Sequence, residues 1–248
     1  MTTTESRGRV RVEQGAKRVR VVFAGIVVAD TTRPLLVWEV PYYPMYYLPR
    51  ADVRTDLFVP TGRTRPSPSR GEGRVSTLRV GDREAVDAVT EYPDSPFEQL
   101  RDAVRLDWTS MDHWFEEDEE VYTHPRDPHK RVDILPSSRH VRIEVDGVTV
   151  AESARPWLLF ETGLPTRYYL PKTDVRLDLL TPTDTVTHCP YKGQAEYWSV
   201  GEQKDLAWSY RMPLPESQRI AGLIAFADER VDVYVDGELQ PRPTTPFG

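Results

Sequence analysis

Residues 140–183 read HVRIEVDGVTVAESARPWLLFETGLPTRYYLPKTDVRLDLLTPT, and residues 18–61 read RVRVVFAGIVVADTTRPLLVWEVPYYPMYYLPRADVRTDLFVPT. The two stretches align without a gap at an offset of 122, and 20 of the 44 aligned positions are identical. Self-similarity of this kind marks one structural unit used twice, and it decides the architecture before any single residue is considered. Both copies carry Arg-Pro (Arg33-Pro34, Arg155-Pro156), Tyr-Tyr-Leu-Pro (Tyr46 to Pro49, Tyr168 to Pro171) and Asp-Val-Arg-x-Asp-Leu (Asp52 to Leu57, Asp174 to Leu179).

Carried forward in the same register, Arg65-Pro66-Ser67-Pro68-Ser69-Arg70-Gly71 falls opposite Thr187-His188-Cys189-Pro190-Tyr191-Lys192-Gly193. Proline and glycine match and arginine stands for lysine, whereas the histidine, cysteine and tyrosine of the second copy have no counterpart. The first copy is therefore expected to keep the loop and to have lost its reactive groups. Beyond this loop the register slips by two, with Val80-Gly81 opposite Val200-Gly201.

The local pattern predicts small all-β units. Val141, Ile143 and Val145 alternate with Arg142, Glu144 and Asp146 before Gly147, a half-buried strand entering a turn, and Val148-Thr149-Val150 returns as its partner. Further short strands are expected at 157–160, 167–170, 195–200, 206–210, 223–227 and 231–235, with Asp236-Gly237 as a tight turn. Asp174 to Leu179 alternates as well and is expected to be a strand, with a short helix after Pro171 as the other reading. In the first copy, residues 96–120 read as a helical insertion. Phe97, Leu100 and Val104 have helical spacing, and Ser110 is placed to cap a second helix carrying Met111, Trp114 and Phe115. The expected division is 1–136 for the first repeat and 137–248 for the second.

The totals set the outer limits. The 248 residues carry 32 Lys plus Arg against 39 Asp plus Glu, a formal charge of −7, which does not favour a nucleic-acid partner. A single cysteine excludes an internal disulfide and a four-cysteine zinc site, and fits a reducing compartment. The N-terminal residues lack the apolar stretch of a signal peptide, and no run approaches the ~20 apolar residues that cross a bilayer. A cytoplasmic protein with no membrane partner is expected. The 22 prolines favour short strands and loops over long helices.

The paired Arg-Pro, Tyr-Tyr-Leu-Pro and Asp-Val-Arg motifs, His188 to Gly193, Ala207-Trp208-Ser209-Tyr210 and the closing Val231 to Gly237 together resemble the family known as domain of unknown function 427, also filed under a nucleotidyltransferase-like label. The resemblance covers nearly the whole chain. It implies two tandem two-sheet β-domains, β-tent-like or a small barrel or sandwich. β-Tent proteins bind small ligands between their sheets and often pin those sheets with a cysteine-ligated zinc, which one cysteine cannot do.

Chemistry is expected at the loop of the second copy. His188 is the candidate general acid or base, Tyr191 a proton donor, Lys192 a stabiliser of anionic groups, and Cys189 a nucleophile whose thiol the neighbouring lysine could activate. On a strand, His188 and Cys189 would point to opposite faces; a turn opened by Pro190 would let them converge. Tyr197, Trp198 and Trp208 are candidate pocket walls, the first two falling opposite Val75 and Ser76. Arg155, Tyr169 and Arg176 are candidate substrate contacts, but the first copy retains Arg33, Tyr47 and Arg54, which speaks for a framework role. The spacing of Asp112, His113, Glu116, His124 and His129 matches no standard metal site, and no phosphate loop or dinucleotide motif is present, so neither a metal nor an organic cofactor is expected. The reading that follows is a small-molecule-processing enzyme using acid/base chemistry. Its rivals are a non-catalytic small-ligand-binding module and nucleotidyl transfer with Asp174 and Asp178 on a divalent ion.

Overall fold

A computed structural model describes residues 10–245. The chain divides into two compact units, residues 1–127 and 128–248. The second unit takes in residues before Pro136 because Val132–Pro136 pairs antiparallel with Trp157–Glu161. All pairings between the described strands are antiparallel, as short connections without crossovers allow.

In the first unit, seven strands form one sheet in the order 11–14, 35–38, 45–49, 103–106, 83–91, 71–80 and 58–67. A smaller sheet runs 119–120, 113–116, 19–23 and 26–31. The second unit repeats both. Its small sheet is 148–153, 141–145, 232–235 and 238–239. Its large sheet is drawn as a three-stranded part (132–136, 157–161, 167–169) and a four-stranded part (224–226, 203–209, 193–200, 180–189) joined by the Leu170–Ile224 bridge. The equivalent join in the first unit is the Leu48–Val104 pair.

The two-residue period of the strands gives each large sheet two apolar faces. Tyr46 and Leu48 point into the main core, against Val19, Val21 and Phe23 of the small sheet; Tyr47 points to the back, with Val37, Tyr92, Leu100 and Ala103. Likewise Tyr168 and Leu170 meet Val141 and Ile143, while Tyr169 joins Ile134, Leu159, Ala195, Tyr210 and Ala225. Each unit is thus a two-sheet layer with a second, smaller apolar cluster behind the large sheet.

The helical insertion expected at 96–120 is not what forms. Only Glu98–Arg101 is α-helical; Ala103–Leu106 and His113–Glu116 are strands. Asp107, not Ser110, caps the single 3-10 turn at Trp108–Ser110, its carboxylate accepting the Ser110 N–H at 3.1 Å. These elements belong to the repeat: His113–Glu116 pairs with Val19–Val22 as Asp232–Val235 pairs with Val141–Glu144. Burial of Trp114 and Glu116 on one side, period two, overrode the helical spacing. Asp174 to Leu179 is also not a strand but two 3-10 turns, Lys172–Asp174 and Leu177–Leu179, joined through a bridge from Val175 to Ala151.

The loop pair matches as expected. Leu180–Cys189 turns through 190–192 into Gly193–Val200, and Phe58–Ser67 turns through 68–70 into Gly71–Val80. Gly193 (φ 98°) and Gly71 (φ 94°) hold the left-handed conformation that restarts each strand. One position differs instructively. A Cβ on Gly73 would meet Thr90 Cγ2 at 2.7 Å and Tyr92 Cε1 at 2.8 Å, whereas the second unit places buried Ala195 there, with Trp208 in place of Thr90. Gly73→Ala is expected to destabilise the first unit by about 1–3 kcal/mol through overpacking, read as a lower urea midpoint at unchanged slope.

Candidate functional site

The back face of the second large sheet gathers most of the reactive groups. The turn at 190–192 is pinned from outside: the Leu214 N–H donates to the Lys192 carbonyl at 3.0 Å and the Ser217 hydroxyl to the Tyr191 carbonyl at 3.1 Å. So held, Lys192 points inward and its Nζ donates to Glu161 Oε2 at 2.5 Å, both side chains nearly buried. Glu161 ends the strand Trp157–Glu161. Tyr169, fully buried, accepts the Trp208 indole N–H at 3.2 Å. Cys189 packs half-buried against this cluster, together with Tyr197, Trp208 and Trp157.

Burial and neighbouring charge fix the protonation states. Burial disfavours the Lys192 ammonium, but Cys189, Glu161 and Tyr169 together more than compensate and hold it above the usual lysine range. Burial pushes Tyr169 up to about 12 against the opposing pull of Lys192 and the Trp208 N–H. Burial raises Tyr210 well above its ordinary value, reinforced by Tyr169 and Cys189. At neutral pH the lysine is charged and both phenols keep their protons. None of the three is poised to exchange a proton there.

The other sequence candidates fall in different places. His188 lies within the strand Leu180–Cys189, opposite Gln194, so alternation sends it to the exposed face away from Cys189. Tyr191 sits half-buried on the turn. The Tyr197 hydroxyl lies 2.9 Å from Thr187 Oγ1, and its ring centroid is 6.4 Å from that of Trp208. Trp198, next along the strand, packs instead toward the main core. Arg155 engages Asp174 (3.1 Å) rather than Glu161, and Arg176 engages Asp178 (2.6 Å), both arginines being exposed. Those two pairs use up the charges that would otherwise serve an anion or a divalent ion. Among the described residues, no three His, Cys, Asp or Glu side chains gather as a metal-ligand set.

Sequence reading passed over Arg167, set Glu161 beside Arg155 and not Lys192, and took Tyr210 only as one of the aromatic rings near the loop. Arg167 pairs with both Glu229 and Asp228 and lays its guanidinium over Trp208 at 5.7 Å. The signal for Glu161 was available: Glu39 matches it and Arg70 matches Lys192, so a carboxylate and a cation are kept together in both copies. The first unit builds the corresponding cluster. Glu39 Oε1 accepts from Tyr47 at 2.7 Å and pairs with Arg70 at 2.6 Å and Arg105 at 2.9 Å, and Arg70 lies over the Tyr92 ring at 5.1 Å. Tyr92 stands where Tyr210 does, two residues past the Val75–Thr90 and Tyr197–Trp208 pairs. The first copy lacks the histidine and thiol but keeps the cation, carboxylate and two phenols.

Two homologous antiparallel β-units, each with a largely covered cation–carboxylate–tyrosine cluster behind its large sheet, define a tandem-repeat β protein. The chain belongs to the family described as Domain of unknown function (DUF427), whose model matches twice, over residues 11–117 and 133–237. No curated protein matches it.

Proposed function

We propose that the second unit is a small-ligand-binding module whose site is the back face of its large sheet. The observation that carries this reading is a contrast between the copies. Both hold the paired cation and carboxylate and the buried phenols, but only the second lines them with Cys189, Tyr197 and Trp208, half-exposed where the first has Ser67, Val75 and Thr90. Rigid rings around a fixed, internally neutralised polar group suit a small molecule with a flat or apolar body and one polar end. A second reading, catalysis by Cys189, is favoured by the position of the half-buried thiol among the aromatic rings of this face. The lone thiol suits a reducing compartment.

Native mass spectrometry of the purified full chain and thermal shift against small aromatic and carboxylic metabolites test the binding reading. A ligand is expected that raises the melting temperature of the parent protein and loses its effect in Trp208→Ala. Ligands indifferent to Trp208→Ala and Tyr197→Ala would place the site elsewhere. The catalytic reading needs Cys189 to react with iodoacetamide at neutral pH faster than a free thiol, and it is lost if Cys189→Ser leaves turnover of the ligand unchanged.

A further inference from the structure

A cavity of the second unit lies on the other face of the large sheet. It encloses about 310 Å³ between Pro165, Tyr168, Asp228, Val233, Gln240 and Pro241. That is at the small end of the range of roughly 300–1,000 Å³ for small-molecule pockets.

The first unit shows what these walls fit. Val233 pairs with Ile143 as Trp114 pairs with Val21, so the two residues hold the same place in their units. The Gln240 N–H donates to the Val233 carbonyl as the Val121 N–H donates to that of Trp114. Ala227 N–H to Leu206 O repeats Asp107 N–H to Ala88 O, which sets Asp228 in the place of Trp108. Tyr168 is the counterpart of Tyr46. In the first unit Trp108 and Trp114 stack with centroids 4.4 Å apart and planes 5° from parallel. Tyr46 stacks on Trp114 at 6.4 Å, and the Trp108 N–H donates to the Tyr122 carbonyl at 3.3 Å. Where the first unit fills this space with two indoles, the second has a valine, an aspartate and an open cavity.

The polar content sets the rest of the chemistry. Asp228 is buried, with a carboxylate oxygen 3.3 Å from Arg167; that guanidinium is already bidentate on Glu229, which leaves Asp228 acceptor capacity toward the cavity. From these features we infer that the cavity between Tyr168, Val233 and Asp228 binds a planar heteroaromatic molecule of indole size, its ring taking the place of the first unit's indoles and its ring N–H donating to Asp228. This site is separate from the Lys192 cluster: Tyr168 and Tyr169 are consecutive and face opposite sides of the sheet.

The probes are indole and benzothiophene, the latter matching in shape but lacking the N–H, titrated into the full chain by saturation-transfer NMR and calorimetry. At pH 8, where the Asp228 carboxyl is ionised, indole is expected to bind in a one-to-one ratio, and benzothiophene roughly ten- to a hundred-fold more weakly through loss of a charge-assisted hydrogen bond. Val233→Trp, which installs the first unit's own plug, is expected to abolish indole binding while the far-UV spectrum is unchanged. Val233→Phe is a smaller plug that serves if the tryptophan variant does not fold. Tyr197→Ala, at the other site, is expected to leave indole affinity unchanged, which separates this inference from the binding reading above. No indole binding to the parent chain, or undiminished binding in the plugged variant, overturns the assignment.

Discussion

Glu161→Ala is expected to lower the stability of the second unit by about 3–5 kcal/mol, the cost of leaving one member of a buried ion pair without its partner. The Lys192 and Glu161 side chains retain only 12 % and 8 % exposure, so water cannot take over the role of the lost carboxylate. Lys192→Ala is expected to cost a similar amount, by stranding Glu161. Removing both charges with the double variant Glu161→Gln/Lys192→Met is expected to recover much of the loss, because a buried pair roughly balances its own desolvation. Arg176→Ala, which breaks an exposed pair with Asp178, is the control and is expected to leave the transition where it is in the parent. Urea denaturation of the full chain measures all four, the second unit's transition being the one that moves. A single variant within about 1 kcal/mol of the parent would mean that the pair is solvated in solution, and the site would lose its fixed charge.

The second large effect depends on pH. Asp228 is pushed up to about 7, chiefly by burial, with Glu229 adding to the rise and Arg167 opposing it. The folded state therefore binds this proton more tightly than the unfolded chain, where the group titrates near 3.8. Its contribution to stability is complete below that value and is lost as pH rises toward 7, above which it is constant. Relative to Asp228→Asn, which has no proton to lose, the parent protein is expected to lose roughly 4 kcal/mol between about pH 4 and pH 7.5, since each tenfold difference in proton affinity between the folded and unfolded states is worth ~1.4 kcal/mol. Asp174, held at about 2 by the Arg155 and Ser153 hydrogen bonds, works in the opposite sense, its contribution being lost as pH falls through that value. It acts below this window and is common to both proteins. Parallel stability–pH curves for the two proteins would show that Asp228 is not held protonated.

Much of this protein was legible in the repeat. Identity at 20 of 44 positions established two copies of one β-unit, and the match of Gly71 with Gly193 correctly paired the two hairpins. These features are local: period-two alternation and a glycine turn are properties of a few consecutive residues. Residues 96–120 show where local reading fails. Phe97, Leu100 and Val104 have helical spacing, but Val104 and Trp114 are buried strand residues whose partners, Leu48 and Val21, lie far away in the chain. Long-range pairing outweighs a weak local preference.

The sites divide in the same way. Sequence adjacency drew His188, Cys189, Tyr191 and Lys192 together, and a strand separated the first two by sending alternate side chains to opposite faces. The partners that matter came from distant parts of the chain: Glu161 for Lys192, Trp208 for Tyr169, Asp228 and Glu229 for Arg167. The order of residues alone was enough to show two β-units, the second carrying a thiol and extra aromatic rings. The folded arrangement was needed to show that the lysine is a buried, charge-paired group, and that two indoles of the first unit are replaced by a cavity in the second. Both depend on which side chains converge across the sheets, and that follows from strand pairing between residues far apart in sequence.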